Sequence, residues 1–192
     1  MTPRVVLFTR WPEPGRAKTR LIPILGEDGA AALHRRLTER ALGAMRDSGL
    51  PMEVRVTGAP LSRFREWLGN GPALADQGEG DLGERLLRAA DPPLILIGAD
   101  IPDLSAACLR DAAAALQDAP AVIGPAEDGG YYLLGLRTPM PFLFKAIPWG
   151  TDQVFALTMQ RLAGRGLAPA LLPTLADLDR PEDLARWPGL MR

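Results

Sequence analysis

The sequence predicts one α/β domain, a three-layer α/β/α sandwich around a mostly parallel sheet, and three observations carry that prediction. Short apolar runs alternate with stretches of helical periodicity, the pattern of parallel strands joined by crossover helices. The run PPLILIGAD at 92–100 is solidly apolar and ends in a loop, as a strand buried on both faces does. No linker, repeat or low-complexity stretch divides the 192 residues, so residues 1–192 are expected to form a single domain.

Taken in order, RVVLFT (4–9) reads as a short buried strand. Ala30, Leu33, Leu37, Ala41 and Met45 recur at helical spacing, which predicts an amphipathic helix over 27–48, stopped by Gly49 and Pro51. MEVRVTG (52–58) alternates as a second strand, 61–68 fits one or two helical turns, and ALADQ (73–77) fits a short strand. Asp81, with Glu84 three residues later, is a capping-box start for a helix through Ala90. After the central run, Ser105 suits the N-cap of a helix whose Leu109, Ala112 and Leu116 share one face. AVIG (121–124) and YYLLGL (131–136) read as strands. Thr151 or Asp152 is expected to cap a helix carrying Phe155, Met159 and Leu162. APALLP (168–173) forms the last strand, and Pro181 opens a closing helix through Trp187.

Composition narrows the function classes. A net charge of −1 argues against bulk attraction to nucleic acid or to an anionic membrane. One cysteine excludes an intrachain disulfide framework, and one histidine argues against Cys/His zinc sites and against Ser-His-Asp or Cys-His catalysis. With no apolar run long enough to span a membrane and no signal-peptide pattern, a cytoplasmic location is the default, as a monomer or small homo-oligomer.

The chemistry concentrates at three places where strands end. WPEPGRAKTRL (11–21) puts Arg16, Lys18 and Arg20 within five residues directly after the first strand. It is not a Walker A loop, because Ala17 stands where the glycine before the lysine is required. Asp100 ends the central run, and Asp177 and Asp179 follow the last strand. Ligands of open α/β sheets bind beyond such strand ends, and carboxylates beside a cation-rich loop are what metal-assisted phosphate chemistry requires. Each aspartate also has a plain reading as a helix cap or turn former, and Glu182 and Asp183 are explained by the dipole of the closing helix. The stretch GPAEDGGYYLLGL (124–136) offers Gly129 and Gly130 either for close approach to a ligand or for a simple hairpin turn with Asp128 and Tyr131 as turn residues. Trp149 fits the core or an aromatic lid; His34 and Cys108 fit structural roles.

Six ordered motifs, PGRAKTRL, GEGDLGERL, IGADIPDL, GPAEDGGYYLLGL, W-G-T-D and DLDRPEDL, resemble the radical-SAM/selenodomain-associated transferase 1 proteins over nearly the whole chain. Those are similar to the nucleotide-diphospho-sugar transferase (GT-A) superfamily. More distantly the chain resembles molybdenum-cofactor and 2-phospholactate guanylyltransferases and the cytidylyltransferases of sugar and isoprenoid synthesis. The resemblance implies a GT-A fold and a nucleotide grip by Arg16, Lys18 and Arg20 with Thr9 and Gly15. Base and ribose would be read near Gly83 and Arg85. Asp100 resembles the first metal ligand and Asp179 the second, with Asp177 as runner-up. Asp128, Gly129, Gly130, Tyr131 and Trp149 would line the acceptor side. The loop departs from the G-x-G-x-R type of the cytidylyltransferases, Ile101 replaces a common cysteine and Gly150 a common serine.

The favoured expectation is a transferase that uses Mg²⁺ or Mn²⁺, with Lys18 and Asp100 as its catalytic residues. It would bind a nucleoside triphosphate or nucleotide-sugar and pass the nucleotidyl group to a small anionic acceptor. A glycosyltransferase on the same frame is the second expectation, and a non-catalytic nucleotide- or partner-binding protein the third.

Overall fold

The computed structural model describes residues 2–191. Seven strands form one sheet: β1 Arg4–Arg10, β2 Met52–Thr57, β3 Ala73–Asp76, β4 Leu94–Gly98, β5 Ala121–Pro125, β6 Tyr131–Leu136 and β7 Ala170–Leu171. Their order is β3-β2-β1-β4-β6-β5-β7. Every pairing is parallel except those of β6, which runs antiparallel to both β4 and β5.

Five α-helices cover the sheet: α1 Ile22–Ser48, α2 Leu61–Leu68, α3 Leu82–Ala89, α4 Ala106–Ala115 and α5 Val154–Ala163. The period of two along each strand divides the core. Val5, Leu7, Ile95 and Ile97 pack with α1, α2 and α4, whereas Val6, Leu94 and Leu96 pack with α3, α5 and the 140–144 turn. A third cluster joins Leu21, Leu33 and Leu37 to Leu178, which anchors the C-terminal segment against α1.

The expected helix at 27–48 is regular, but one further turn precedes it, separated by Gly26 at φ 71°, ψ 171°. Gly49 ends it in the left-handed conformation. Three expectations need correction. The helix expected to be capped by Thr151 or Asp152 starts at Val154. The Thr151 hydroxyl donates instead to the Pro148 carbonyl (2.8 Å). That helix buries Val154, Thr158 and Leu162, with Phe155 and Met159 only half-buried. The last strand shrinks to two residues on the sheet edge. The closing segment Pro181–Arg186 is a 3₁₀ helix rather than an α-helix.

The capping box at α3 forms as expected: Glu84 N–H donates to the Asp81 carboxylate and Asp81 N–H to the Glu84 carboxylate, each at 2.9 Å. Losing such a cap costs about 1 kcal/mol. Asp81→Ala is therefore expected to lower the melting temperature by about 2–4 °C for a domain of this size. An unchanged melting curve would remove this cap from the account of stability.

Candidate active site at the strand ends

The carboxyl ends of β1 and β4 lie side by side, because Phe8 pairs with Gly98 in a parallel register. The cationic loop leaves β1 there, and Asp100 leaves β4. Beyond β7 the chain turns back across this edge. Leu175 N–H donates to the Pro125 carbonyl (3.1 Å), and Leu178 N–H donates to the Asp100 carbonyl (2.9 Å). The Leu178 side chain is buried, so Asp177 and Asp179 on either side of it are delivered to the edge. Convergence of the loop, Asp100 and the D-x-D thus follows from a docked extended segment, while β7 itself sits at the far edge of the sheet.

Lys18 is the centre of this arrangement. Its side chain is only 3% exposed, and its backbone is left-handed (φ 49°). The ammonium lies 2.7 Å from Asp100 Oδ1 and 3.6 Å from Asp179 Oδ1, and donates to the Leu178 carbonyl at 2.5 Å. Arg20 forms a second ion pair with Asp179. Burial works against the charged form of Asp100, but the Lys18 ammonium, by its charge and then its hydrogen bond, more than offsets it. The Asp100 carboxyl is held below the usual carboxylate range. Asp177 moves the other way: burial first, then the charges of Asp128, Asp183 and Asp179, push its carboxyl up.

A cavity of about 360 Å³ opens beside these groups. Phe8, Leu86, Leu96 and Ile101 give it an apolar wall, and Tyr131 and Trp149 an aromatic one, their rings edge-to-face at 6.3 Å. Its charged lining is Asp100, Asp128, Asp177 and Asp179 with Arg20.

The site residues proposed from sequence divide into two groups. Lys18, Arg20, Asp100, Asp177 and Asp179 come together, and Asp128, Gly130, Tyr131 and Trp149 line the same cavity. The others lie outside its wall. Arg16 extends into solvent and pairs with Glu13 (3.5 Å). The Arg85 guanidinium donates to the Gly80 carbonyl (2.9 Å). Gly15 turns the loop at φ 78° beside the Glu27 side chain. Gly83 is buried where a Cβ would run into the Phe144 carbonyl oxygen and stand 2.7 Å from the Trp149 indole nitrogen, so its role is to let α3 close against the Phe144 backbone and Trp149. Gly129 packs against the backbone of Asp152. The Tyr131 hydroxyl is buried beside that of Thr158, and its ring serves the cavity. The apolar wall was not among the residues singled out, since nothing distinguishes Phe8 or Leu96 from other strand residues before the sheet is assembled.

Thr9 is also buried, with its hydroxyl 2.9 Å from that of Thr38 and 3.3 Å from His34 Nε2. The same nitrogen donates to the Arg10 carbonyl (3.1 Å). Burial pulls the pKa of His34 below its ordinary 6.5, although the Asp100 charge and the Arg10 carbonyl oppose it. The unfolded chain therefore binds a proton that the native state refuses, in the window from 6.5 downward to the native value. Unfolding free energy rises with pH across that window and falls on acidification below 6.5. His34 is the chain's one histidine, so no second imidazole contributes. Urea midpoints of the wild type are expected to fall between about pH 6.5 and pH 5, with His34→Gln losing that slope. Parallel pH profiles for the two proteins would exclude His34 as the origin.

Among solved structures, the chain is similar to a candidate nucleotide-diphospho-sugar transferase from Desulfovibrio desulfuricans G20, at 29% identity, with 100% of this chain and 98% of that one covered and a TM-score of 0.88. It shares its fold with CMP:2-keto-3-deoxy-manno-octonic acid synthetase complexed with CTP (14% identity, 100% and 98% covered, TM-score 0.60). It does so too with the manganese complex of Rv0371C from Mycobacterium tuberculosis H37Rv (17% identity, 97% of each chain, TM-score 0.53). No curated protein matches the chain. The family model that matches residues 37–151 takes in Asp100 and the 128–131 turn, and leaves Lys18, Arg20 and the D-x-D to either side. With more than half its length in that match, this chain belongs to the DUF2064 family, described as uncharacterized proteins conserved in bacteria.

Proposed function

We propose that this protein is a metal-dependent transferase that binds a nucleoside triphosphate or nucleotide-sugar; from a triphosphate it passes the nucleotidyl group to a small acceptor, the acceptor–phosphorus bond forming as the bond to the leaving pyrophosphate breaks. One observation carries the reading: Arg20, Asp100 and Asp179 converge from distant parts of the chain on the wall of one cavity, with Lys18 paired to both carboxylates behind it. The likeness of fold to a synthetase solved with CTP and to a protein solved with manganese supports it.

The residues fit a hard divalent cation. Among the described residues no three acidic, His or Cys side chains form a ready-made cage. Two carboxylates that both reach one ammonium, with ligand phosphates completing the set, are the donors Mg²⁺ or Mn²⁺ commonly uses. Asp100 and Asp179 would hold such an ion, which when bound supplies charge neutralisation at the phosphates. Arg20 binds the phosphates from the cavity rim. The apolar and aromatic walls exclude water and orient the rest of the ligand.

The sequence reading favoured an anionic acceptor. Asp128, on the acceptor side, and Asp177, in the same cavity wall, argue for one that offers hydroxyl groups, since carboxylates accept hydroxyl protons and repel phosphate. The same pair supports the second reading, glycosyl transfer from a nucleotide-sugar onto a hydroxyl. Asp177, whose carboxyl is pushed up, is then the base.

The test is a thermal-shift panel of nucleoside triphosphates and nucleotide-sugars with and without Mg²⁺ or Mn²⁺. A donor present at about 100 times its dissociation constant adds about 2.7 kcal/mol, or about 5–10 °C. A metal-dependent shift with one triphosphate supports nucleotidyl transfer, and a shift only with a diphospho-sugar supports glycosyl transfer. No metal-dependent shift with any donor would leave a binding protein without this chemistry.

A further inference from the structure

Lys18 occupies a position that its sequence neighbours cannot explain. Of the 22 basic residues only two, Lys18 and Lys145, are lysines; all other cations are arginines. Lys145 is exposed, and Lys18 is nearly sealed. The one basic side chain placed between the two metal-ligand carboxylates is thus a lysine in an arginine-rich protein. An ammonium is a compact charge on a flexible stem and re-aims by changing rotamers, whereas a guanidinium fork is planar and must reorient as a plate.

The ammonium has three donors; it is close to two acceptors, Asp100 Oδ1 (2.7 Å) and the Leu178 carbonyl (2.5 Å), and keeps a looser ion pair with Asp179 Oδ1 (3.6 Å). With Arg20 on Asp179 as well, two carboxylates face two cations. The pair is charge-compensated before any ligand arrives, and a free divalent cation would meet like charge at close range. Phosphates change this balance, because they offer the Lys18 ammonium a new anionic partner at the same rim.

We propose that Lys18 is an exchangeable counter-ion of the metal position, yielding Asp100 and Asp179 to a divalent cation only when nucleotide phosphates receive its ammonium. The inference rests on the proposed function above and adds to it an order of loading: cation and phosphates bind as a unit, and cation alone is rejected.

Two measurements test this without relying on turnover. The first is calorimetric titration of Mn²⁺ alone into wild type, Lys18→Met, Lys18→Gln and, as a control for loss of one charge from the same loop, Arg16→Gln. Wild type and Arg16→Gln are expected to bind Mn²⁺ alone weakly and within about twofold of each other, with both Lys18 variants at least about tenfold tighter. Lys18 variants no tighter than wild type would overturn the proposal, as would an equal gain in Arg16→Gln.

The second uses wild type only, and so does not depend on any variant folding. The ¹⁵Nζ resonance of Lys18, with Lys145 as internal reference, is followed on addition of Mg²⁺ alone and then of ATP, CTP, GTP or UTP with Mg²⁺. It is expected to stay put with Mg²⁺ alone and to move with one Mg²⁺–triphosphate. A shift of equal size with Mg²⁺ alone, or none while a triphosphate binds, would overturn the exchange and leave the transferase reading standing. Absence of any metal-dependent triphosphate binding would overturn both.

Discussion

Asp100→Asn is expected to fold, to lose about 1–2 kcal/mol of unfolding free energy, and to lose all metal-dependent stabilisation by nucleotide. The stability loss comes from Lys18 more than from Asp100. A hydrogen bond to a charged group contributes about 1.5–3 kcal/mol, reduced here because the Asp100 side chain is 50% exposed and partly screened. The Lys18 ammonium keeps the Leu178 carbonyl and the more distant Asp179, so it is weakened in its pairing and not orphaned. The ligand effect is larger. Wild type at saturating donor gains about 5–10 °C, and the variant gains none, because an amide does not replace a carboxylate as ligand to a hard cation. The acid side gives a second readout. The Asp100 carboxyl is held low, so its contribution is complete above the unfolded carboxylate pKa of about 3.9 and is lost as pH falls through the native value. The variant lacks that step. Equal nucleotide shifts in wild type and Asp100→Asn would remove Asp100 from the metal position.

Gly129→Ala is expected to cost about 2–4 kcal/mol and to disturb the cavity without touching a charged group. Gly129 has φ 87°, a region where an L-residue pays about 1–2 kcal/mol. An added Cβ would also lie 2.6 Å from Asp152 Cα and 2.8 Å from its carbonyl carbon. Those are backbone atoms, which cannot swing aside as a flexible side chain does, so overpacking adds about 1–3 kcal/mol. The Phe155 N–H that donates to the Gly129 carbonyl (3.0 Å) ties α5 to this turn. A shift there moves Thr151 and Val154 in the cavity wall. Urea denaturation measures the stability loss, and the donor panel reports the cavity. A loss below about 0.5 kcal/mol would mean that the turn relaxes freely and does not position α5.

The fold was legible where one residue pattern served one purpose. LILIG is apolar because both faces of β4 are covered, and α1 shows its period because one face meets the sheet. Legibility failed where a polar side chain did a core residue's work. Thr158 is fully buried in α5, so an apolar-only reading placed the helix's inner face one position away, at Phe155 and Met159. It failed again at 181–186, where the Asp183 carboxylate accepts the N–H groups of Asp179 and Arg180 and tightens the turn. Within the site, residue types at strand ends pointed to Lys18, Arg20, Asp100 and the D-x-D. They did not reveal direction: Arg16 and Arg20 are both loop cations, and only the fold sends one to solvent and the other to Asp179. The hairpin reading of the D-G-G turn holds, since β6 runs antiparallel to β5, but spacing did not reveal that β6 also pairs antiparallel with β4, since an apolar strand of six residues reads alike in either sense.

The bond from Lys18 to Leu178 joins positions 160 apart in the chain. During synthesis β1 and its loop emerge well before residues 177–179, so the ammonium can meet Asp100 first and gains the Leu178 carbonyl and Asp179 only later. A chain stopped short of Asp177 would retain β1 to β7 and most of two of the three apolar clusters, yet keep a single carboxylate beside Lys18. The proposed binding of metal with phosphate would thereby depend on a segment that lies far along the chain from the loop it completes.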